Sequence, residues 1–150
     1  MNLEQIVNEY LASGTMMQLA TCHGGKPWVC TVYFVADKHR NIYWISKPET
    51  RHSLEITKNK DVAATIPLRF HPGEPGVALQ LEGQASEVGN TQEIAEKMRL
   101  YVEKFASGEE FYNGFIAGAN EHYLFKLVPT RFVVVDSERL GKDNFSELIV

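Results

Sequence analysis

The segment WISKPETRHS, from Trp44 to Ser53, combines the end of a strand, a short loop and the beginning of a helix. Pro48 interrupts the loop, and the helix is predicted to run to about Asn59. Thr50 is predicted to be its N-cap, because its hydroxyl can accept a hydrogen bond from a free amide of the first turn. The amides of that turn carry the positive end of the helix dipole, so this corner should attract an anion.

The side chains of the same segment favour a phosphate. Arg51 offers a planar fork of donors, and His52 can add a further donor. The hydroxyls of Ser46, Thr50 and Ser53 complete a set of groups suited to phosphate oxygens. We call residues 46–53 the cradle. The alternative interpretation is an arginine that is simply solvated at a helix start.

Composition limits the other function classes. The chain has 150 residues, of which 44% are hydrophobic, and a net charge of −4, so a single domain over residues 1–150 is expected. Its Lys and Arg residues are scattered, which argues against nucleic-acid binding. The sequence has neither a basic leader followed by an apolar run nor a window of 18 apolar residues, so we expect a cytoplasmic protein without membrane contact. Cys22 and Cys30 are expected to be reduced, and no zinc-binding spacing is present.

Periodicity and turn residues divide the chain into helices and strands. Asn2 and Gln5 form a capping box before an amphipathic helix, and Gly24-Gly25 predicts a hairpin. A second capping box, Asn90 with Glu93, precedes a helix expected to stop at Gly108. Strands are predicted over residues 15–23, 27–37, 41–46, 61–70, 77–88 and 123–136, the last one broken near Val128-Pro129.

Several stretches are harder to interpret. Pro67 suggests an edge, a bulge or a strand end, and Gly83 a bulge or bend. Residues 109–122 are expected to mix loop with a helical turn, and the tail from residue 137 to 150 stays uncertain. The helical stripe of Met98, Tyr101 and Phe105 is interpreted as packing. His122 is interpreted as a surface or interface residue.

Six strands joined mostly by short connections exclude a doubly wound parallel sheet, because parallel strands need long crossovers. A small barrel is the natural solution, since closure removes the sheet edges. The sequence thus predicts a mainly β fold (β+α), a six-stranded antiparallel barrel with flanking helices.

From about Leu3 to Asp136, this order of elements resembles the pyridoxamine 5′-phosphate oxidase-like family of flavin-binding split β-barrels. The family pattern of a hydroxyl residue, three spacers and Ser-Arg-Lys is similar to Ser46, Lys47-Pro48-Glu49 and Thr50-Arg51-His52. The resemblance implies that Ser46, Thr50, Arg51 and His52 hold the phosphate of FMN. It also implies a homodimer with one flavin in each of two interface clefts.

Other family positions can be placed on this chain. Leu81-Glu82-Gly83 is similar to the family strand that passes close to the flavin of the partner subunit, and Gln80 is the candidate for the glutamine that contacts the flavin. The resemblance implies that the flavin ring lies along the paired second and third strands, at Thr31, Val32, Tyr33, Trp44 and Ile45.

Two departures from the oxidase concern its substrate. Cys30 stands where the oxidase has a basic residue, and nothing after Asp136 resembles the Arg-and-His-bearing segment that grips pyridoxal phosphate. Pyridoxamine phosphate is therefore not the expected substrate. If an acid or base takes part, His71 and Tyr33 are the candidates; no catalytic residue is assigned.

Three functional hypotheses stay open. The first is an FMN-dependent oxidoreductase acting on an unidentified small molecule. The second is a flavin or haem carrier, or a redox sensor, without turnover. The third is a deazaflavin-dependent reductase on the same barrel.

Overall fold

The computed structural model describes residues 2–150, apart from the side chain of Asp143. The strands are β1 (Met16–His23), β2 (Lys26–Tyr33), β3 (Val35–Ala36), β4 (Ile42–Ser46), β5 (Asp61–Arg69), β6 (Val77–Glu87), β7 (Tyr123–Val135) and β8 (Phe145–Ile149). The helices are α1 (Leu3–Ser13), α2 (Arg51–Lys58), α3 (Thr91–Phe105), α4 (Gly108–Ile116) and α5 (Ser137–Leu140), followed by a 3₁₀ turn at Gly141–Asp143.

All strand pairs are antiparallel, and the sheet order is β2-β1-β5-β6-β7-β4-β3, with β8 beside β7. Only Phe34 separates β2 from β3, so residues 26–36 act as one strand. Its first part pairs with β1 and its second part with β4, which brings the two ends of the sheet together. With β2 and β3 counted as one, the predicted six-stranded antiparallel split barrel is confirmed, and β8 is an addition.

The barrel is open along one line. The pairing of β3 with β4 consists of Val35 with Tyr43 and Ala36 with Ile42. Within residues 2–150, β2 and β4 form no ladder with each other, so the expected pairing of the second and third predicted strands is restricted to these two residue pairs. A gap therefore lies between residues 31–33 of β2 and the end of β4.

Two bulges adjust the long strands. Glu82 pairs with Arg131 but the next residue, Gly83, pairs with Pro129, so Thr130 is an extra residue in β7. The strand runs on through this bulge, and the predicted break near Val128-Pro129 is wrong, because the irregularity is absorbed within the ladder. The predicted irregularity at Gly83 is confirmed. A second bulge follows Pro67.

The tail, left uncertain by the sequence, adds a strand. Beyond the bulge, β7 pairs with β8 over residues 131–135, while before it β7 pairs with β4 over residues 123–127. Asp136 caps α5 by accepting from the amides of Glu138 and Arg139, and it also accepts from the hydroxyl of Tyr10 in α1. The tail is thus attached to the first helix as well as to the sheet.

The helices close the barrel and cover its side. The Asn2–Gln5 capping box is confirmed, and α1 buries Ile6, Val7, Tyr10 and Leu11 against the barrel core. On the other side, α3 and α4 cover a second apolar cluster around Tyr43, Met98 and Phe115. None of the helices within residues 2–150 combines the length and the apolar character that crossing a bilayer requires.

Two helical predictions need correction. Asn90 accepts from the amide of Glu93, but the Glu93 carboxylate accepts instead from the Tyr43 hydroxyl at 3.0 Å and the Lys126 ammonium at 2.9 Å. The second capping box is therefore only half formed, because a cation is the stronger partner for a carboxylate. Where loop with a helical turn was predicted, α4 extends over nine residues and packs on α3.

Candidate cofactor-binding site

A cleft of about 560 Å³ lies at the gap between β2 and β4, and we call it the cleft. The N-terminus of α2 forms one end of it, and α3 contributes a side wall. Its lining residues are Met16, Thr31, Val32, Tyr33, Ile45, Ser46, Lys47, Thr50, His52, Tyr101 and His122. Seven of the ten residues predicted to contact a cofactor therefore lie around one opening.

The cradle end of the cleft exposes the first turn of α2. Thr50 is the N-cap residue, as predicted, but its side chain forms no capping bond. Its hydroxyl lies 2.9 Å from the Lys47 carbonyl oxygen, to which it donates, and 2.8 Å from the Ser53 hydroxyl. The predicted capping bond is thus wrong, because the Thr50 hydroxyl donates to the Lys47 carbonyl, and this hydrogen bond holds the side chain away from the first-turn amides. The first-turn amides have no side-chain cap and keep their capacity to bind an anion.

His52 joins the two hydroxyls of the cradle. Its Nε2 lies 2.8 Å from Ser46 Oγ and 3.3 Å from Thr50 Oγ1. Both Ser46 and His52 are buried. Burial lowers the pKa of His52, because an imidazolium loses hydration there. The imidazole is therefore neutral near pH 7 and becomes easier to protonate when a negative charge approaches.

The charge of the lining favours an anion. Lys47 is the lining side chain that carries a fixed positive charge, and among the described residues no carboxylate lines the cleft. Glu121 binds the Lys47 ammonium at 2.8 Å without being part of the lining. This ion pair offsets part of the Lys47 charge, so the preference of the cleft for an anion rests mainly on the α2 N-terminus and the hydroxyls of the cradle.

Arg51 lies outside the cleft. Its guanidinium stacks 4.3 Å from the centre of the Trp28 ring, and its Nε donates to Glu55 at 3.2 Å. Thr21 donates to the other oxygen of the Glu55 carboxylate at 2.9 Å. A carboxylate one turn along the helix and an aromatic face on β2 therefore hold Arg51 on the opposite side of the helix start.

Two other predicted contacts also lie elsewhere. Trp44 is fully buried in the barrel interior, where its ring stacks on Phe125 with centroids 5.7 Å apart. Gln80 lines a separate cavity of about 360 Å³ on the outer face of the sheet. Of the two candidates for acid–base chemistry, Tyr33 lines the cleft, whereas His71 is exposed in its loop and outside it.

Four lining residues were missed as site residues: Met16, Lys47, Tyr101 and His122. Lys47 occupies a spacer position of the family pattern, and its place inside the cradle is the signal that could have identified it. Tyr101 is buried as the helical stripe predicted, yet one side of its ring also faces the cleft. His122 follows a loop and had no periodic pattern to place it.

The tautomer of His122 follows from its hydrogen bonds. Oδ1 of Asn120 lies 2.9 Å from the His122 backbone nitrogen and 2.8 Å from His122 Nδ1. Because the backbone amide donates to this atom, the atom is an oxygen that accepts, so Nδ1 must carry a proton. In the neutral ring Nε2 is therefore the acceptor. A short Asn-x-His turn thus holds the ring, and His122 lines the cleft.

Comparison of the sequence with family models matches residues 3–135 to pyridoxamine 5′-phosphate oxidase. No curated protein is significantly similar in sequence. Among solved structures, a proposed pyridoxamine 5′-phosphate oxidase from Listeria innocua is similar in fold, with 20% identity, coverage of 89% of this chain and 98% of that one, and a TM-score of 0.68.

Two haem proteins share the fold as well. HutZ, the haem storage protein of Vibrio cholerae, has 21% identity, a TM-score of 0.64, and coverage of 86% of this chain and 91% of that one. A haem-binding protein from Mycobacterium smegmatis has 15% identity and a TM-score of 0.72, with 95% of this chain matching 57% of that one. At these identities the structures establish the fold alone, whereas the family match extends over most of the sequence. The chain belongs to the pyridoxamine 5′-phosphate oxidase family of split barrels.

Proposed function

We propose that the cleft binds FMN and that the protein is a flavin-dependent oxidoreductase acting on a small molecule. The observation that carries the proposal is the cradle end of the cleft. There an uncapped helix N-terminus, two hydroxyls, an imidazole and Lys47 surround a space without a lining carboxylate. Such a set of donors suits a phosphate dianion. The cleft volume of about 560 Å³ is within the usual range for a small-molecule site.

In this proposal the phosphate binds to Ser46, Thr50, His52, Lys47 and the first-turn amides of α2. The ring system lies along the gap, beside residues 31–33 and Ile45. Since β2 and β4 are not paired there, their strand edges can offer backbone donors and acceptors to a heterocycle. Trp44 contributes from behind, by fixing β4 in the core, and does not touch the cofactor.

A bound flavin would supply hydride or electron transfer, and the protein would bind and orient it. Lys47 and the α2 dipole would hold the phosphate, and the apolar Val32 and Ile45 would keep water from one side of the ring. Tyr33 and Tyr101 both line the cleft, and the hydroxyl of either could hold a proton close to a substrate. The substrate itself is proposed only as a small organic molecule.

We further propose that the protein is a homodimer, as family membership suggests. The outer face of the sheet carries the cavity of about 360 Å³ around Gln80. Val29 on this face is 58% exposed, and the neighbouring Ala63 and Val133 add apolar surface. If the dimer follows the arrangement that the family resemblance implies, Gln80 and Leu81-Glu82-Gly83 would lie close to the cleft of the partner. Light scattering of the purified protein should give about twice the mass of the chain.

The experiment compares FMN with riboflavin, which has the same ring system and no phosphate. We expect quenching of flavin fluorescence on titration with protein, and much tighter binding of FMN than of riboflavin. Ser46→Ala should weaken FMN binding by about 1.5–3 kcal/mol, the range for a hydrogen bond to a charged group, and leave riboflavin binding unchanged. Ser86→Ala, in an exposed part of β6, is the matched control. Equal affinity for FMN and riboflavin would contradict a phosphate site in the cradle.

A haem carrier is the second candidate, and His122 favours it. Its Nδ1 donates to Asn120, which leaves Nε2 available at the cleft, and iron-binding histidines commonly have this arrangement. The fold similarity to two haem proteins agrees with it. Haemin should then produce a sharp absorption band that His122→Ala displaces. Mass spectrometry of the cofactor released from the isolated protein distinguishes FMN, haem and a deazaflavin.

A further inference from the structure

A third space, a cavity of about 340 Å³, lies beneath α4, and we call it the α4 cavity. Its walls are mostly apolar: Leu124 comes from β7, Val88 directly follows β6, Ile94 belongs to α3 and Phe115 to α4. Val88, Leu124 and Phe115 are buried side chains of the second apolar cluster. The cavity volume is near the lower end of the range for small-molecule sites, which suits a ligand of one or two rings.

The α4 cavity and the cleft share His122 as a lining residue. The strand register explains why the two spaces are neighbours. Ile45 of β4, which lines the cleft, pairs with Leu124 of β7, which lines the α4 cavity. Ser46 likewise pairs with Tyr123. His122, directly before β7, thus lies between the cleft, which β4 lines, and the α4 cavity, which β7 lines.

The polar groups of the two spaces differ. The cleft has a lysine and no lining carboxylate among the described residues, whereas Glu87 lines the α4 cavity. A carboxylate at a largely apolar site disfavours anions. His122 Nε2 is an acceptor in the neutral ring, so the wall between the spaces offers a hydrogen bond to a donor. A phosphate would therefore choose the cleft, and a neutral molecule with a hydroxyl or N–H group would choose the α4 cavity.

We propose that the α4 cavity is a binding site for a neutral, largely apolar ring compound that donates a hydrogen bond to His122 Nε2. This binding does not depend on a flavin. The role of the site as the substrate pocket beside the cofactor rests on the proposed function. In that role His122 would be the contact through which the ligand faces the cleft.

The test uses 2-naphthol as the probe, with 2-methoxynaphthalene, which has no donor, and 2-naphthyl phosphate, which is anionic. Titrations of ¹⁵N-labelled full-length protein are followed by NMR. We expect 2-naphthol to shift the amide signals of Val88, Ile94 and Phe115 and to bind about three to ten times more tightly than 2-methoxynaphthalene, the factor expected for one neutral hydrogen bond. His122→Leu should remove this preference.

Ile94→Trp should fill the α4 cavity and weaken 2-naphthol binding at least tenfold, whereas Ile149→Trp, at a 68% exposed position in β8, should not. If Ile94→Trp fails to fold, the His122→Leu comparison still decides. The proposal is overturned if 2-naphthol shifts none of these signals, if His122→Leu keeps the preference, or if 2-naphthyl phosphate is the tightest probe there. FMN titration of the same samples separates the two proposals. If the protein binds 2-naphthol as expected but does not bind FMN, only the proposed function is contradicted.

Discussion

Replacing Gly83 by alanine should destabilise the fold whether or not a cofactor is bound. Gly83 belongs to the Glu-Gly strand that the family resemblance places near a partner's flavin. In the structure, a Cβ at this position would lie 2.2 Å from the carbonyl oxygen of Val128 and 2.8 Å from Cα of Pro129. Ordinary contacts begin at 3.4 Å, so the carbonyl contact is more than 1 Å too short. Both neighbours are backbone atoms of β7, which cannot rotate away as a side chain could.

The expected size follows from this clash. Overpacking typically costs about 1–3 kcal/mol, and alanine recovers less than 1 kcal/mol by restricting the unfolded chain. For a chain of this length each kcal/mol lowers the melting temperature by about 2–4 °C. We therefore expect Gly83→Ala to melt roughly 2–10 °C lower in calorimetry, with or without FMN.

Gly89→Ala is the control for the same chemical change. An added Cβ there meets nothing within 4 Å, and the φ angle of Gly89 is outside the left-handed range. Its melting temperature should stay the same or rise slightly. If Gly83→Ala melts like the control but binds FMN poorly, the bulge argument is wrong, and Gly83 is needed for the cofactor instead of for the ladder.

The other predictions concern charged side chains. Arg51→Ala should change FMN affinity by less than about 0.5 kcal/mol, because the guanidinium charge lies outside the cleft and is screened by solvent. A loss of FMN affinity equal to that of Ser46→Ala in the same titration would instead show that Arg51 leaves Trp28 when FMN binds. Burial lowers the pKa of His52 in the folded protein, so as the pH falls below about 6.5 this imidazole is protonated in the unfolded chain before it is protonated in the folded one. Urea unfolding should show stability decreasing there, and His52→Gln should reduce that slope. Burial lowers the pKa of Lys104 from 10.5 to about 8, so this lysine adds stability as the pH rises through that range, whereas burial raises the pKa of Cys30 to about 11 and acts in the opposite direction. Relative to the wild type, Lys104→Met should therefore lose about 1–3 kcal/mol of stability between pH 8 and pH 10.5 in urea unfolding.

The local features of the sequence predicted most of the fold. Turn glycines, capping residues and alternation identified the six barrel strands and α1 to α3, because each of these signals acts within a few residues. Such local signals did not predict β8, because this strand is formed by pairing with the part of β7 that follows the bulge. The helix α4 was underestimated because it contains two glycines, and its packing on α3 compensates for their low helix propensity.

The site was predicted in outline. The cradle appears where the sequence placed it, because a strand end, a loop and a helix start are close along the chain. The position of Arg51 could be predicted only in part. Its pair with Glu55 follows from the i,i+4 spacing, but its contact with Trp28 joins residues far apart in sequence. Trp44 shows that strand propensity alone does not say which side of a barrel wall an aromatic ring occupies.

The strand β7 has consequences for how the chain is made. It pairs with β6 along one edge and with β4 and β8 along the other, and it is the second-last strand in sequence. During synthesis, β4 and β6 are completed before residues 123–135 are added to the chain. Until then one edge of β4 and one edge of β6 are unpaired, and unpaired strand edges promote association with other chains. We therefore expect fragments that end before Tyr123 to aggregate, and rare-codon pausing in the α3–α4 region to lower the yield of folded protein.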